Sequence, residues 1–149
     1  KRTIHELLGA LDHKIVNLLL QDNLLCAWEG KVCPRCGKGS LSKLQKSSGH
    51  LPKYRCNAKA CHVYLNPHHL HPLFVDGRGS GSTSLQLQAA LLLLLLNRVP
   101  HPVIHGLLGV NHKAIEDMDK RLRDPRMKWV QEQETCQFWK WKEKVRCGS

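Results

Sequence analysis

Acidic side chains are scarce in this chain of 149 residues, which carries 12 Asp and Glu against 23 Lys and Arg. Between Cys33 and Cys61 they are absent altogether, whereas seven cations occur there: Arg35, Lys38, Lys43, Lys46, Lys53, Arg55 and Lys59. The formal net charge of +11 favours a polyanionic partner, with nucleic acid as the first choice and an acidic membrane surface as the second. The alternative is a basic surface that only aids solubility or lies against RNA in a large assembly.

Long apolar runs are also lacking. The run Ala89–Leu96 has eight residues, whereas a helix that crosses a bilayer needs about 20. We therefore interpret it as a buried helix and expect no membrane partner. No signal-peptide pattern opens the chain, and the seven cysteines are an odd number, unlike most secreted disulfide frameworks. We expect a nuclear or otherwise intracellular protein.

Aromatic residues make up only 5% of the chain, so leucine supplies most of the apolar periodicity. Apolar residues at helical spacing predict one helix from Ile4 to about Leu20, and Thr3 with Glu6 has the spacing of a capping box. A second short helix is predicted over Asn23 to Trp28. Residues 1–29 then form an N-terminal helical segment that packs inside the protein or forms a homodimer.

Residues 30–75 are rich in Gly, Pro, Ser, Lys and His, and they have too few apolar residues to fold by burial alone. Two close cysteine pairs occur here: Cys33 with Cys36, and Cys56 with Cys61. In "CPRCG" the proline restricts the backbone and Gly37 permits a tight turn, so both thiolates can face one metal ion. The pattern predicts a small zinc ribbon that holds Zn²⁺ through these four cysteines. Because the four-residue second gap is unusual, His62 is an alternative ligand to Cys61.

Other interpretations of the cysteines are weaker but stay open. A thioredoxin-like redox pair needs a surrounding βαβ pattern, and a catalytic zinc needs three protein ligands with an open position. Disulfides are the third alternative. Three cysteines lack a partner at ligand spacing and are expected to be buried or free thiols: Cys26, Cys136 and Cys147.

The histidines of "HHLH", which are His68, His69 and His71, have no clear fourth ligand for a second metal site. A surface or phosphate-facing role is the preferred interpretation.

After a linker at residues 76–84, residues 85–124 have the layout of a helix–turn–helix. Helices are predicted over Leu85–Asn97, Val103–Leu108 and Lys113–Arg123, with Ser84 and Asn111 as N-caps and Gly109 as the turn residue. Seven residues are expected to face the core: Ile104, Leu107, Leu108, Val110, Ile115, Met118 and Leu122. Three of the four tryptophans lie in the tail, residues 125–149, for which a protein partner is expected.

In a helix–turn–helix the second helix of the turn enters the major groove with its N-terminal residues nearest the bases. That geometry predicts base-edge contacts from Asn111, His112, Lys113 and Glu116, and phosphate contacts from Lys120, Arg121 and Arg123. In the ribbon, phosphate contacts are predicted for Lys43, Lys46, Lys53 and Arg55. Glu116, Asp117 and Asp119 reduce the positive charge of the predicted recognition helix and so weaken the argument that it binds DNA. Three short helices also occur in bundles that bind nothing.

The order of a leucine-rich helix, "CPRCG", "YRCNAKAC", "HPLF" and a helix–turn–helix resembles the N-terminal region of Merlin-type DDE transposases and their bacterial insertion-sequence relatives. In that family a zinc ribbon and helix–turn–helix recognise terminal inverted repeats and precede an RNase H-like catalytic domain. The resemblance implies that Cys33, Cys36, Cys56 and Cys61 bind zinc and that residues 111–121 form the recognition helix. The 26 residues after Arg123 are too few for the catalytic domain.

These observations predict an α+β fold, mainly α, with an N-terminal helix, a small zinc ribbon and a three-helix unit. The predicted function is that of a non-catalytic, zinc-stabilised region of a transposase-like protein that binds double-stranded DNA and is not an enzyme. It is either a segment of a longer transposase or a remnant with another use. The alternative is a zinc-ribbon structural subunit of a large protein or ribonucleoprotein assembly, with Trp129, Trp139 and Trp141 as anchors.

Overall fold

A computed structural model describes residues 2–47, 50–77 and 83–124 of the chain. Within these ranges it has five helices and one three-stranded antiparallel sheet. The helices are α1 (Ile4–Leu8), α2 (Asp12–Gln21), α3 (Leu85–Leu96), α4 (His101–Leu108) and α5 (His112–Arg123), and the strands are β1 (Gln45–Ser47), β2 (His50–Arg55) and β3 (Tyr64–Leu65). The predicted α+β class with predominant helix is confirmed.

The N-terminal helix differs from the prediction because it is broken into α1 and α2. Thr3 caps α1 as expected, and its hydroxyl accepts a hydrogen bond from the Glu6 N–H at 3.2 Å. The chain then leaves helical geometry at Leu11, which is extended at φ −67° and ψ 161°. The break allows α1 to pack against α3 while α2 packs against β2.

The predicted short helix from Asn23 to Trp28 is wrong. Asn23 adopts a left-handed conformation with φ of 59°, which α-helix geometry excludes. The two leucines that follow, Leu24 and Leu25, are buried in the helical core from an irregular segment.

The three strands pair in the order β1-β2-β3. Gln45 lies opposite Lys53 and Arg55 lies opposite Tyr64. Since side chains alternate along a strand, these four residues share one face of the sheet. The neighbouring positions Pro52, Tyr54 and Leu65 are buried on the other face.

Two hydrophobic clusters account for the packing. The larger one, here called the helical core, contains eighteen buried residues drawn from all five helices and from the segments after α2 and β3. The smaller one, the ribbon core, contains Cys33, Leu41, Tyr54, Cys56 and Leu65, and Leu44 packs against both clusters. The described residues of the N-terminal segment (2–29) and those of 85–124 therefore contribute to a single core.

The apolar face of α2 lies inside this core. Ile15, Val16 and Leu19 are fully buried. The homodimer expected through the N-terminal helix stays a prediction, and Leu8 and Leu11 are the large apolar side chains of this segment that are exposed.

Six of the seven residues predicted to face the core between α4 and α5 do so, and Leu107 does not. Ile104, Val110, Ile115, Met118 and Leu122 are buried, and Leu108 packs against the same cluster. Leu107 is 65% exposed because it lies on a stripe with Val103, one turn earlier, that faces away from α5. Gly109 ends α4 in the predicted left-handed conformation, with φ of 68°.

In the described part of the chain, no helix combines the length and apolar character that a membrane span requires. The apolar helix α3 has 12 residues.

Candidate metal centre

The structure brings the four predicted cysteine ligands together. The Sγ atoms of Cys33, Cys36, Cys56 and Cys61 all lie within 4.8 Å of one another, and those of Cys36 and Cys56 are 3.7 Å apart. A tetrahedral zinc with Zn–S bonds of about 2.3 Å places its sulfurs about 3.8 Å apart. The cluster is thus positioned to hold a metal ion, and its size and its sulfur donors are compatible with zinc.

The first cysteine pair lies in a tight turn with N–H groups directed at sulfur. Gly37 N–H donates to the Cys33 carbonyl at 2.9 Å, and Gly39 N–H donates to Cys36 Sγ at 3.4 Å. The N–H groups of Gly39 and Lys38 lower the pKa of Cys36 to about 6, because they stabilise the thiolate. Gly37 has the left-handed φ of 69° that the sequence predicts for this turn.

The second pair starts where β2 ends. Cys56 donates its N–H to the Val63 carbonyl at 3.0 Å, and Cys61 donates to the Ala58 carbonyl at 3.0 Å. The four intervening residues form a wider turn that still returns Cys61 to the cluster. The Ala58 N–H lowers the pKa of Cys56, but burial and the three surrounding thiols outweigh it and raise that pKa to about 12.

His62 does not replace Cys61. It is exposed, with φ of 45°, and its Nδ1 lies 3.2 Å from the Arg55 guanidinium. Its ring is therefore directed to Arg55 rather than to the four sulfurs.

Gly39 is a further residue that the site requires and that the sequence analysis missed. A Cβ atom at this position would lie 2.5 Å from Cys56 Sγ and 2.8 Å from Ala58 Cβ. The first turn can approach the second only because Gly39 has no side chain. The second glycine of "CGKG" was the available signal, but only the tertiary contact shows its role.

The alternatives for the cysteines fit the geometry less well. None of the described cysteines forms a disulfide, and the 3.7 Å between the Sγ atoms of Cys36 and Cys56 far exceeds a disulfide bond of about 2.0 Å. The four sulfurs already fill a tetrahedral set, which leaves no open position for a catalytic zinc. Cys26 is a half-buried thiol away from the cluster, whereas Cys136 and Cys147 lie outside the described residues.

The seven cations between Cys33 and Cys61 have no acidic partner within the part of the chain that the structure describes. Arg35, Lys38, Lys43, Lys46 and Lys59 are exposed, and Lys53 and Arg55 are half-buried. None of the seven forms a salt bridge with a carboxylate of the described residues. Their charge is thus available to an external polyanion.

Helix α5 has a different charge balance. Lys113 lies 3.7 Å from Asp117, and Arg123 lies 2.8 Å from Asp119, which also contacts His101 at 2.9 Å. These pairs neutralise part of the helix's own positive charge.

The residues predicted to contact DNA from α5 are mostly on its solvent side. His112, Lys113, Glu116 and Lys120 are exposed, and the His112 ring stacks on His105 with centroids 4.2 Å apart. Their exposure leaves these four side chains accessible to a partner.

Asn111 and Arg121 differ from this group. The Asn111 carboxamide oxygen accepts the Ala114 N–H at 2.8 Å and is occupied as the helix cap. Arg121 is half-buried, and burial lowers its pKa. The predicted phosphate contact from Arg121 is therefore less accessible than the contact from Lys120.

The surface or phosphate-facing role expected for "HHLH" is wrong for His68 and His71. His68 is 5% exposed. His71 Nδ1 accepts the N–H groups of Leu73 and Phe74, both at 3.0 Å, so its Nε2 donates to the Leu24 carbonyl at 2.7 Å. Burial lowers the pKa of His71 to about 4. These hydrogen bonds tie the chain after β3 to the segment that follows α2.

His69 has a separate partner. Its Nδ1 lies 3.4 Å from an Asp76 carboxylate oxygen, and both side chains are partly exposed. Among the described residues, the four cysteines are the one group of three or more such side chains arranged to hold a metal ion.

Comparison of the chain with models of known protein families, with curated proteins and with solved structures finds no match.

Proposed function

We propose that the chain is a non-catalytic, zinc-stabilised DNA-binding region of a transposase-like protein, which recognises duplex DNA such as terminal inverted repeats. One observation carries the proposal: a four-cysteine cluster lies within a segment whose seven cations have no carboxylate partner in the described structure. A rigid surface with unpaired positive charge is suited to a phosphate backbone.

Zinc gives the ribbon a stability that its small core cannot supply. The ribbon core has five buried residues, whereas a structural zinc contributes on the order of 10 kcal/mol. Four thiolates around Zn²⁺ also carry a net charge of about −2. That charge offsets part of the repulsion among the surrounding lysines and arginines.

The helices after residue 84 supply the second element of the proposal. The α4–Gly109–α5 arrangement is compatible with a helix–turn–helix whose recognition helix is α5. In that orientation His112, Lys113 and Glu116 contact base edges and Lys120 contacts a phosphate. The ion pairs on α5 make it a weak electrostatic anchor, so the ribbon supplies most of the sequence-independent affinity and α5 supplies discrimination.

A selection of bound duplexes from a random pool, run with and without a zinc chelator, tests this function. We expect one enriched sequence with zinc and loss of enrichment with chelator. On the selected duplex, affinity should fall steeply with salt, because several phosphate contacts release counterions.

Single-residue variants separate the contribution of the ribbon from that of α5. Lys113→Ala should reduce the preference for the selected duplex over an unrelated one, whereas Lys43→Ala should weaken both about equally. Asn111→Ser removes the carboxamide but keeps an N-cap, so a loss of preference in this variant is not due to helix fraying. If Lys43→Ala and Lys113→Ala reduced the preference for the selected duplex equally, the assignment of α5 as the recognition helix would be contradicted.

A second candidate is a structural subunit of a large assembly. It is favoured by Val103 and Leu107, which are 48% and 65% exposed on one stripe of α4. The tryptophans of the tail, on which this alternative also rested, lie outside the described residues. A stable protein partner that is retained by the purified chain, together with no duplex binding, would favour this candidate over the first.

A further inference from the structure

One face of the three-stranded sheet combines cations with an exposed aromatic ring. The strand register places Gln45 beside Lys53 and Arg55 beside Tyr64. The opposite face is buried against the ribbon core. We refer to Gln45, Lys53, Arg55 and Tyr64 as the sheet face. It bears two cations and no carboxylate.

Tyr64 and Arg55 form its most distinctive part. Tyr64 is 50% exposed, and the Arg55 guanidinium lies 5.6 Å from the centroid of its ring. Arg55 also contacts His62 at 3.2 Å, and its buried Nε has no hydrogen-bond partner in the described structure. The guanidinium is thus held over one side of a half-exposed ring.

The sheet face continues into a cleft. Lys53 lines a space of about 290 Å³ together with His50 and Asn66 from the ribbon and with Ser84 and Gln86 from the start of α3. Asp12 also borders this cleft, but it accepts a hydrogen bond from the Gln86 amide at 2.9 Å. Lys53 therefore shares the sheet face with Tyr64 and also lines the cleft.

We propose that the sheet face binds single-stranded DNA, with an unpaired base stacked on Tyr64 and the adjacent phosphates in contact with Arg55 and Lys53. The inference rests on the proposed function, since it assumes a DNA-binding protein, and extends it from the duplex to an unpaired strand next to it.

The chemistry favours an unpaired strand over a duplex. In a duplex the base faces are stacked on one another, so an aromatic ring on a flat sheet cannot reach them. A single strand exposes those faces, and stacking on aromatic side chains beside cations is the usual mode of its recognition. The absence of a carboxylate on the sheet face matches the charge of the strand.

Fluorescence anisotropy with the full chain and zinc tests the inference. The probes are a short labelled oligothymidine, which cannot form a self-duplex, and a labelled duplex. Tyr64→Ala should weaken oligothymidine binding by roughly tenfold and leave duplex binding within about twofold. Tyr64→Phe keeps the ring and should bind like the unchanged protein. Lys59→Ala is the matched charge control and should affect both probes similarly. The zinc content of each variant verifies the fold.

The outcomes separate this inference from the proposed function. Duplex binding without oligothymidine binding would overturn the inference alone, and so would a Tyr64→Ala variant that loses both probes equally or neither. Binding of neither probe by the unchanged protein would overturn both proposals. A labelled polyglutamate that binds as tightly as oligothymidine would also overturn the inference, because charge alone would then explain retention.

Discussion

Gly39 shows how one missing side chain determines the geometry of the metal centre. Its α-carbon is so close to the second cysteine turn that a methyl group would overlap Cys56 Sγ at 2.5 Å. Since the neighbouring atom is one of the four candidate metal ligands, it cannot move aside without distorting the tetrahedral arrangement of sulfurs that a zinc ion needs.

We predict that Gly39→Ala lowers zinc affinity by at least about tenfold and lowers the melting temperature of the zinc-bound protein. Competition with a chromogenic chelator measures the first effect and calorimetry the second. Gly106→Ala is the control, because a Cβ there has nothing within 4 Å and lies in α4. It should leave zinc affinity unchanged and stabilise the protein by about 0.5–1 kcal/mol. Equal zinc affinity of Gly39→Ala and the unchanged chain would contradict the steric argument.

His71 makes stability depend on pH. Burial lowers the pKa of its imidazole from the ordinary 6.5 to about 4, so the unfolded state binds the proton more readily. The stabilisation is complete above about pH 6.5 and is lost as the pH falls towards about 4, by about 3 kcal/mol.

Acid also releases metal from thiolates, in the unchanged protein and in a His71 variant alike. The contribution of His71 is therefore measured as the difference between their free energies of unfolding. His71→Gln should be less stable than the unchanged protein at neutral pH, and the gap should close by about 3 kcal/mol between pH 7 and pH 4. Urea unfolding at several pH values measures it. His13→Gln, on the exposed side of α2, is the surface control and should change the free energy of unfolding at neutral pH by less than about 0.5 kcal/mol. A constant gap for His71→Gln would show that the ring does not titrate with folding.

At the scale of elements, α4 shows that helical periodicity alone does not select the buried stripe. Ile104 is fully buried against α3 and α5, whereas Leu107 on the adjacent stripe is 65% exposed. Both residues fit the apolar spacing of a short helix, so the packing partners of α4 decide between them.

We predict that Ile104→Ala destabilises the protein by about 2–5 kcal/mol, because it leaves a cavity in the helical core. Leu107→Ala removes a side chain of similar size from the same helix and should change the free energy of unfolding by less than about 0.5 kcal/mol. Chemical denaturation of both variants provides the comparison. Comparable losses would mean that Leu107 is covered in solution by a partner, as the structural-subunit alternative requires.

The whole molecule consists of two cores of unequal strength. The helical core has eighteen buried residues and needs no metal, whereas the ribbon core has five, two of which are cysteines of the metal centre. Removal of the metal should therefore unfold the ribbon and leave the helical core folded.

We predict that a chelator makes residues 30–65 sensitive to trypsin at their lysines and arginines and leaves most of the far-UV helical signal intact. Cys36→Ser should reproduce this state without chelator. Cys26→Ser, outside the cluster, should retain both the metal and trypsin resistance. Loss of the helical signal in the same transition as the ribbon would show that the two cores fold as one unit.

The features predictable from sequence were those that depend on interactions within a few residues along the chain. The N-caps Thr3, Ser84 and Asn111 and the left-handed Gly109 have local causes, since each hydrogen bond or torsion lies within one turn. The two cysteine pairs were recognisable for the same reason. That they lie together was predictable because a structural zinc ion needs four ligands and each pair supplies two.

Other features were decided by neighbours distant in sequence, which no local pattern encodes. The break between α1 and α2 lets α1 pack against α3 while α2 packs against both β2 and α3. His71 is held in place by a partner 47 residues away, because its Nε2–H donates a hydrogen bond to the Leu24 carbonyl. The sheet face exists because the strand register sets Arg55 beside Tyr64. The candidate ligands, the helix caps and the charge could be read from the linear chain, because they are properties of residue type and short spacing. Tertiary packing decided which side chains are buried and which remain open to a partner.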